Sequence, residues 1–488
     1  MEIKLFRMII PAYPEDNIFS RVTKKTTALG PLLVATAANK MSGWRVEVID
    51  ENNYHNGPRD KNGSVDHVAL QKENSAVVVG FYCGLTSTMP RVWELAAFYK
   101  QQGALIVAGG WHVFYMPEES LKKGIDIIVR GDGEKAIEEI LALLKGGVRM
   151  GGITDADEVN LNSLSIPDFG LLRFAKTRIY PIGRIRGCGM CCEFCSVKGE
   201  PRWADAKWLY ETIKWLVETR GAREFFIVDD RVEEDKEGTV KFFKMIAEKY
   251  GSYLDFTIQA RLGAAKDKEF LAIMKAAGVR RVCIGYESPI DEELKAMRKG
   301  INAARMVEFT KQWRESGFFV HAMFIFGYPS AFKISAEERV RQFKKFIRQA
   351  KPDSIQVLRL VPLVGTVLRD QLEKEGRILP LNVVGWEKYD GNFACFKPAD
   401  MMIRELQESP EIIMRWFYSW TSWVRVPIRT IIMPLDYLLR GWASWYRGWW
   451  NDIVRCGARR VLRKIKEGER RGDFLKKLYS LDKGLGKT

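Results

Sequence analysis

Short apolar runs alternate with amphipathic stretches along most of the chain. In the first 150 residues, apolar runs at 5–11, 46–50, 76–83, 104–110 and 126–130 are separated by helix-period segments such as 29–41, 91–102 and 134–144. This pattern predicts a parallel, doubly wound sheet, because each parallel crossover needs a helix to carry the chain back. Ligands of such sheets bind beyond the carboxyl ends of the strands. Residues 151–174 show no period and are rich in Asp, Asn and Ser, as a linker would be. Alternation then resumes in longer units. Strands are expected at 181–186, 224–230, 255–262, 280–288, 318–329 and 354–364, with helices at 207–219, 240–249, 268–277, 303–315 and 336–350. Six β/α units predict a partial barrel, short of the eight that close one. The expected organisation is a first domain at 1–150, a linker at 151–176, the partial barrel at 177–390, and a mainly helical region at 391–488 that caps the substrate or faces a membrane.

Composition sharpens the last segment most. Of 488 residues, 47% are hydrophobic and 28% charged, which supports packed cores and excludes a disordered chain. The net charge is +16, and most of the excess lies late: between 415 and 477 there are 11 Arg and 4 Lys against 5 acids. Seven of the 15 tryptophans fall between 416 and 450. Tryptophan interleaved with arginine suits a membrane interface, where aromatic rings sit at headgroup depth and cations meet anionic lipid. Pro427 and Pro434 are expected to break this segment into short helices lying on a surface. The competing reading is a helical lid over the barrel mouth. Nucleic-acid binding ranks below both, since no RNA-binding module accompanies the aromatics. The start of the chain has no signal-peptide pattern, and no stretch offers the ~20 apolar residues needed to span a bilayer. The expectation is a cytoplasmic protein, with peripheral contact at the inner membrane face as an extension.

Chemistry concentrates in Arg186-Gly-Cys-Gly-Met-Cys-Cys-Glu-Phe-Cys-Ser, just after the first strand expected in the central region. Four of the eight cysteines sit there, a crowding that points to metal binding in a reducing compartment. Cys188, Cys192 and Cys195 form C-x3-C-x2-C, with the aromatic Phe194 before the last. Three thiolates on one loop can hold three irons of a [4Fe–4S] cluster and leave the fourth open. Zinc is the alternative, because Cys188/Cys191 and Cys192/Cys195 are also two CxxC pairs. Those pairs abut, whereas zinc ribbons separate them by roughly 15–20 residues. His55, His67, His112 and His321 form no metal-like cluster in the sequence.

The cysteine loop and its position resemble the radical S-adenosylmethionine superfamily, and the likeness extends from about 180 to 364. Phe225-Phe-Ile-Val-Asp-Asp230 is similar to the family's second strand, and Gln259-Ala-Arg261 closes the third. Gly285-Tyr-Glu-Ser288 resembles the fourth, and Met323-Phe-Ile-Phe-Gly-Tyr-Pro329 the fifth. The resemblance implies that Phe194, Asp230, Gln259, Arg261 and Glu287 contact S-adenosylmethionine. Upstream, Gly109-Gly-Trp-His-Val-Phe-Tyr-Met-Pro-Glu-Glu119 and Val129-Arg-Gly-Asp-Gly-Glu134 resemble the flavodoxin-like cobalamin-binding domain that precedes many such enzymes. By that likeness Asn52, Thr86, Ser87, Gly109 and Gly110 line the cobalamin. One departure stands out: Asn52 occupies the place of the histidine that usually ligates cobalt, so no histidine ligand is expected.

The resemblance therefore implies a radical enzyme that cleaves S-adenosylmethionine with one electron, abstracts hydrogen from an unactivated carbon and methylates it from methylcobalamin. A hydrophobic substrate, such as a lipid or tetrapyrrole, is the favoured class, and a flavodoxin or ferredoxin is the expected electron donor. The alternatives are radical cyclisation or carbon–carbon bond formation without methyl transfer and, below that, a zinc-containing membrane- or RNA-associated binding protein.

Overall fold

The computed structural model describes residues 3–14, 20–148, 150–197, 199–467 and 469–484. Its backbone divides into two units. One comprises Met1–Cys188, Gly199–Asp229 and Leu363–Gly365, and the other Gly189–Lys198, Asp230–Pro362 and Thr366–Thr488.

In the first unit, strands β1 (Lys4–Ile10), β2 (Trp44–Asp50), β3 (Ala76–Tyr82), β4 (Leu105–Gly109), β5 (Ile127–Gly131) and β6 (Gly152–Ala156) form one parallel sheet. Its order is β2-β1-β3-β4-β5-β6, the flavodoxin-like arrangement with one strand added at the edge. Near-continuous apolar runs follow from helices covering both faces. Ile9, Val79, Ile106 and Ile128 are fully enclosed in this core. Arg7 is buried inside β1, and its charge is met by Glu47 Oε1 at 2.6 Å and by the Leu70 and Asn74 carbonyls. The added strand corrects the sequence reading of 151–174 as wholly irregular. Gly152-Ile-Thr-Asp-Ala156 is polar because it lies at the edge, so it lacks the apolar signature of its neighbours.

The same unit holds β7 (Ile179–Ile182), paired in parallel with β10 (Glu224–Ile227) through the helix Ala206–Arg220. Between them β8 (Ile185–Arg186) and β9 (Arg202–Trp203) make a two-stranded antiparallel ribbon. In the second unit, β11 (Asp255–Gln259), β12 (Val279–Glu287), β13 (Phe319–Phe326) and β14 (Ser354–Arg359) pair in chain order, all parallel. With β7 and β10 these are the six strands expected of the partial barrel.

The edge of β14 is covered by the helix Ile403–Phe417, and Tyr418 beyond it donates its hydroxyl to the Ile355 carbonyl and accepts from the Ile355 amide. Two further helices, Thr421–Ile431 and Met433–Glu467, carry most of the tryptophans. Of the two prolines expected to break this segment only Pro434 does, where the first helix gives way to the second. Pro427 lies within its helix, where the carbonyl it leaves unbonded belongs to exposed Trp423 and can turn to water. Pro434 sits in the first turn of the next helix, where no amide is required. A further interruption falls at Gly441, whose φ of 76° and ψ of 159° only glycine adopts readily. No helix among the described residues is long and apolar enough to cross a membrane.

Candidate active site

The cysteine loop starts from a bend fixed by a buried carboxylate. Asp229 Oδ1 accepts from the Arg184 amide at 2.8 Å and the Ile185 amide at 2.9 Å, which turns the chain from β7 into β8. A Cβ at Gly183 would stand 2.7 Å from that oxygen, so glycine is required at the turn. Arg184 donates to the Ala204 carbonyl at 2.9 Å, tying the far limb of the loop to the near one. Arg186, two residues before Cys188, reaches Asp132 Oδ1 at 2.7 Å and Glu134 Oε1 at 2.5 Å. On the returning limb, Arg202 donates to Asp132 Oδ2 at 3.1 Å. The Gly131-Asp-Gly-Glu134 segment thus clamps both limbs of the ribbon from which the cysteines project.

In the second unit Cys192 is buried and Cys195 half-buried, and the Val197 amide donates to Cys195 Sγ at 3.3 Å. Phe194 meets Tyr328 edge-on, with ring centroids 6.0 Å apart. Lys299 donates to Glu287 Oε1 at 2.8 Å. Burial works against its charge, but Glu287 and then the Cys192 thiol outweigh that, so its ammonium is held above the ordinary lysine range. A fixed cation beside a thiol favours the thiolate, the form that binds iron. Glu287 has a φ of 60°, a left-handed conformation that non-glycine residues seldom hold and that clusters at functional positions. Behind it, Ser288 Oγ donates to Glu293, Arg339 Nε pairs with Glu293 Oε1 at 2.7 Å, and Arg339 Nη2 with Asp400 at 2.9 Å.

The residues expected to meet S-adenosylmethionine lie at carboxyl strand ends. Gln259 closes β11 and accepts at its carbonyl from Val232, Arg261 is exposed just beyond, and Glu287 closes β12. Asp230 is exposed after β10, while its neighbour Asp229 is the buried one. All eight cysteines are free thiols. Among the described residues no three His, Cys, Asp or Glu side chains are gathered into a ready-made metal cage.

On the first sheet the expected cobalamin residues also sit at carboxyl strand ends. Asn52 Nδ2 donates to the Pro11 carbonyl at 2.9 Å, and its Oδ1 accepts from the Tyr13 amide at 2.8 Å, joining the loops after β1 and β2. Asp50 beneath it is buried, and that burial raises its carboxyl to about 6 despite the Thr27 hydroxyl and the Asn52 amide. Burial also pushes Glu51 upward, but bonds to His67 and Arg91 prevail and hold it at about 2. Thr86 and Ser87 are buried in a tight turn opening the helix Met89–Gln101. Gly109 ends β4, and Gly110 has a φ of 124° with backbone of Cys83 and Gly84 pressed against it.

The donor set fits a corrinoid held without a protein imidazole. Asn52 is committed to the two loops, His55 bonds Asn53, and His67 is engaged on both ring nitrogens by Tyr99 and Glu51. For the cluster, the loop supplies free thiols, the soft donors that iron–sulfur groups take. Sequence reasoning did not find Asp229, Lys299, or the clamp formed by Asp132, Glu134, Arg186 and Arg202. The two acids lie in a motif already noted and Arg186 adjoins the cysteine loop, but nothing in the sequence pairs residues more than 50 positions apart.

Residues 18–141 match the B12 binding domain, and residues 182–345 the radical SAM superfamily. An uncharacterized methyltransferase of Pyrococcus horikoshii is 25% identical over 416 residues, covering 79% of this chain and 87% of its own. The anaerobic magnesium-protoporphyrin IX monomethyl ester cyclase of Synechocystis is 25% identical, covering 78% of this chain and 80% of its own. The fold is shared with the radical S-adenosylmethionine methyltransferase TsrM from Kitasatospora setae, solved with cobalamin and a [4Fe–4S] cluster: TM-score 0.67, 17% identity, 96% of this chain and 100% of that one. The cofactors are therefore cobalamin, S-adenosylmethionine and a [4Fe–4S] cluster. The chain is a radical S-adenosylmethionine enzyme with a B12-binding domain ahead of its radical domain.

Proposed function

We propose that this enzyme methylates an unactivated carbon of a hydrophobic substrate, a lipid or a tetrapyrrole. The observation that carries the reading is the cysteine loop, whose Cys192 lies close to the half-buried Lys299 paired with Glu287, in a chain with a B12-binding domain. When bound, the cluster with S-adenosylmethionine supplies a hydrogen-abstracting radical and cobalamin carries the methyl group. The chain's residues bind and orient. Cys188, Cys192 and Cys195 hold three irons, and Phe194 packs against Tyr328 to shape the loop. Asp230, Gln259 and Arg261 offer an acceptor for an ammonium, an amide for ribose hydroxyls and a guanidinium for a carboxylate. Glu287 acts through Lys299, keeping a positive charge near the thiolates. Asn52 joins the two loops that would hold cobalamin, and Thr86, Ser87, Gly109 and Gly110 would line it. Electrons arrive from a flavodoxin or ferredoxin.

A second reading, radical cyclisation with no methyl transfer, draws on the cyclase relative acting on a tetrapyrrole ester. Product counting separates the two. Reconstituted protein is incubated anaerobically with S-adenosylmethionine, a reductant and a panel of tetrapyrroles and polycyclic lipids. Methylation yields S-adenosylhomocysteine together with 5′-deoxyadenosine, whereas cyclisation yields 5′-deoxyadenosine alone. Neither product with any panel member would defeat the proposed substrate class.

A further inference from the structure

The C-terminal helices leave an apolar ridge uncovered. At the cap of Thr421–Ile431 and along it, Trp420, Trp423, Ile428 and Ile431 recur at helical spacing and are all exposed, Ile431 to 78%. After the turn, Leu438 and Leu439 are 78% and 73% exposed. The opposite side of the first helix is the packed one. Ser422 is buried, Arg429 pairs with Asp452 at 2.8 Å, and the Arg429 carbonyl accepts from Trp445 Nε1 at 2.8 Å. So much apolar surface on one side of a folded region marks an interaction site.

The helices are fastened to the amino ends of the barrel strands. Arg447 reaches Asp353, immediately before β14, at 3.3 Å and stacks over Phe319, the first residue of β13. Asn451 Nδ2 donates to Asp353 Oδ1 at 2.7 Å. In this unit the cysteines, Tyr328 and Glu287 belong to the carboxyl ends. The anchor therefore ties the helices to the end of the strands away from the chemistry, and a lid over the reaction chamber does not account for the ridge.

We propose that the ridge is a docking face for an anionic lipid bilayer, lying along the interface without crossing it. Charge selects this occupant. Several arginines of this region are spent on internal pairs, Arg415 with Glu411, Arg429 with Asp452 and Arg447 with Asp353, but exposed Arg425 has no ion-pair partner among the described residues and exposed Arg460 lies over the Trp423 ring. A second copy of the chain would set one arginine-rich rim against another about a two-fold axis, which costs energy. A bilayer with anionic headgroups accepts tryptophan and leucine at headgroup depth and arginine at its surface. The proposal stands independently of the methyl-transfer reading, because it needs neither cofactor nor substrate.

The test is flotation of the full-length protein with vesicles of phosphatidylcholine containing about one third phosphatidylglycerol, against pure phosphatidylcholine. The protein floats with the anionic vesicles, at least about tenfold more than with the neutral ones. The Leu438→Glu/Leu439→Glu variant stays at the bottom while keeping the wild-type circular dichroism, since both positions are exposed. Equal flotation of variant and wild type would overturn the ridge, and equal flotation on both vesicle types would overturn the anionic surface. Wild-type dimers in sedimentation velocity that the variant dissolves into monomers would overturn the bilayer as occupant and assign the ridge to a second copy.

Discussion

Gly110→Ala tests how the end of β4 is shaped for a ligand. A Cβ there would lie 2.6 Å from the Cys83 carbonyl carbon, 2.7 Å from the Gly84 nitrogen and 2.9 Å from the Cys83 oxygen. These are backbone atoms, and they are pinned: the Cys83 amide donates to the Gly109 carbonyl at 2.8 Å, and the His112 amide to the Cys83 carbonyl at 3.0 Å. Relief would require breaking one of those bonds. A φ of 124° with ψ of 177° is a glycine-only conformation, costing alanine about 1–3 kcal/mol, and overpacking adds about 1–3 kcal/mol. Gly103→Ala is the control, because its φ of 82° is also positive but nothing lies within 4 Å of the added carbon. Urea unfolding followed by hydrogen exchange of the 83–114 peptides should place Gly110→Ala below the control by about 1–3 kcal/mol. It should also speed exchange at Cys83 and His112 only in that variant, and hydroxocobalamin retention should fall with it. Equal stabilities and exchange for the two variants would refute the argument that close backbone approach dictates this glycine.

Three further perturbations follow from buried groups. Arg339→Ala strands the Glu293 and Asp400 carboxylates, and breaking a buried pair from one side costs about 3–5 kcal/mol in urea unfolding; a loss near zero would show that the network is not buried as described. Asp229→Ala leaves the Arg184 and Ile185 amides without their acceptor, so stability drops by about 2–4 kcal/mol and iron retention falls with it; intact iron content would separate the bend from the cysteine loop. Asp50 is raised from 3.8 to about 6, so the stability it contributes is full below about 4 and lost as pH rises through about 6. Relative to Asp50→Asn, the wild type should lose about 1 kcal/mol between roughly pH 5 and pH 7.5, and a pH-independent difference would contradict the burial of its carboxyl.

Most of the fold was legible because parallel strands buried on both faces leave unbroken apolar runs, as in β1 and β3. What escaped was polar, short or terminal. The edge strand Gly152–Ala156 carries no apolar signature, and the helix Val367–Lys374 is too short to show a period. Proline chemistry misled at Pro427, because an exposed helix can give one carbonyl to water, and held at Pro434, while the further break at Gly441 needed φ to be visible. For the site, the cysteines were legible from spacing alone. Their supports were not. Asp229 and Asp230 are indistinguishable in sequence, yet one is buried under the bend and the other faces solvent. The Arg186–Glu134 clamp and the Lys299–Glu287 pair exist only once the chain has folded.

The central claim is that one chain holds a three-cysteine iron–sulfur cluster and a corrinoid. Anaerobic reconstitution with iron, sulfide and hydroxocobalamin, followed by metal analysis of wild type and Cys192→Ala, tests it most directly. The account predicts about four irons and about one cobalt per wild-type chain, with iron lost and cobalt kept in the variant. Zinc without iron, or iron that survives Cys192→Ala, would contradict it.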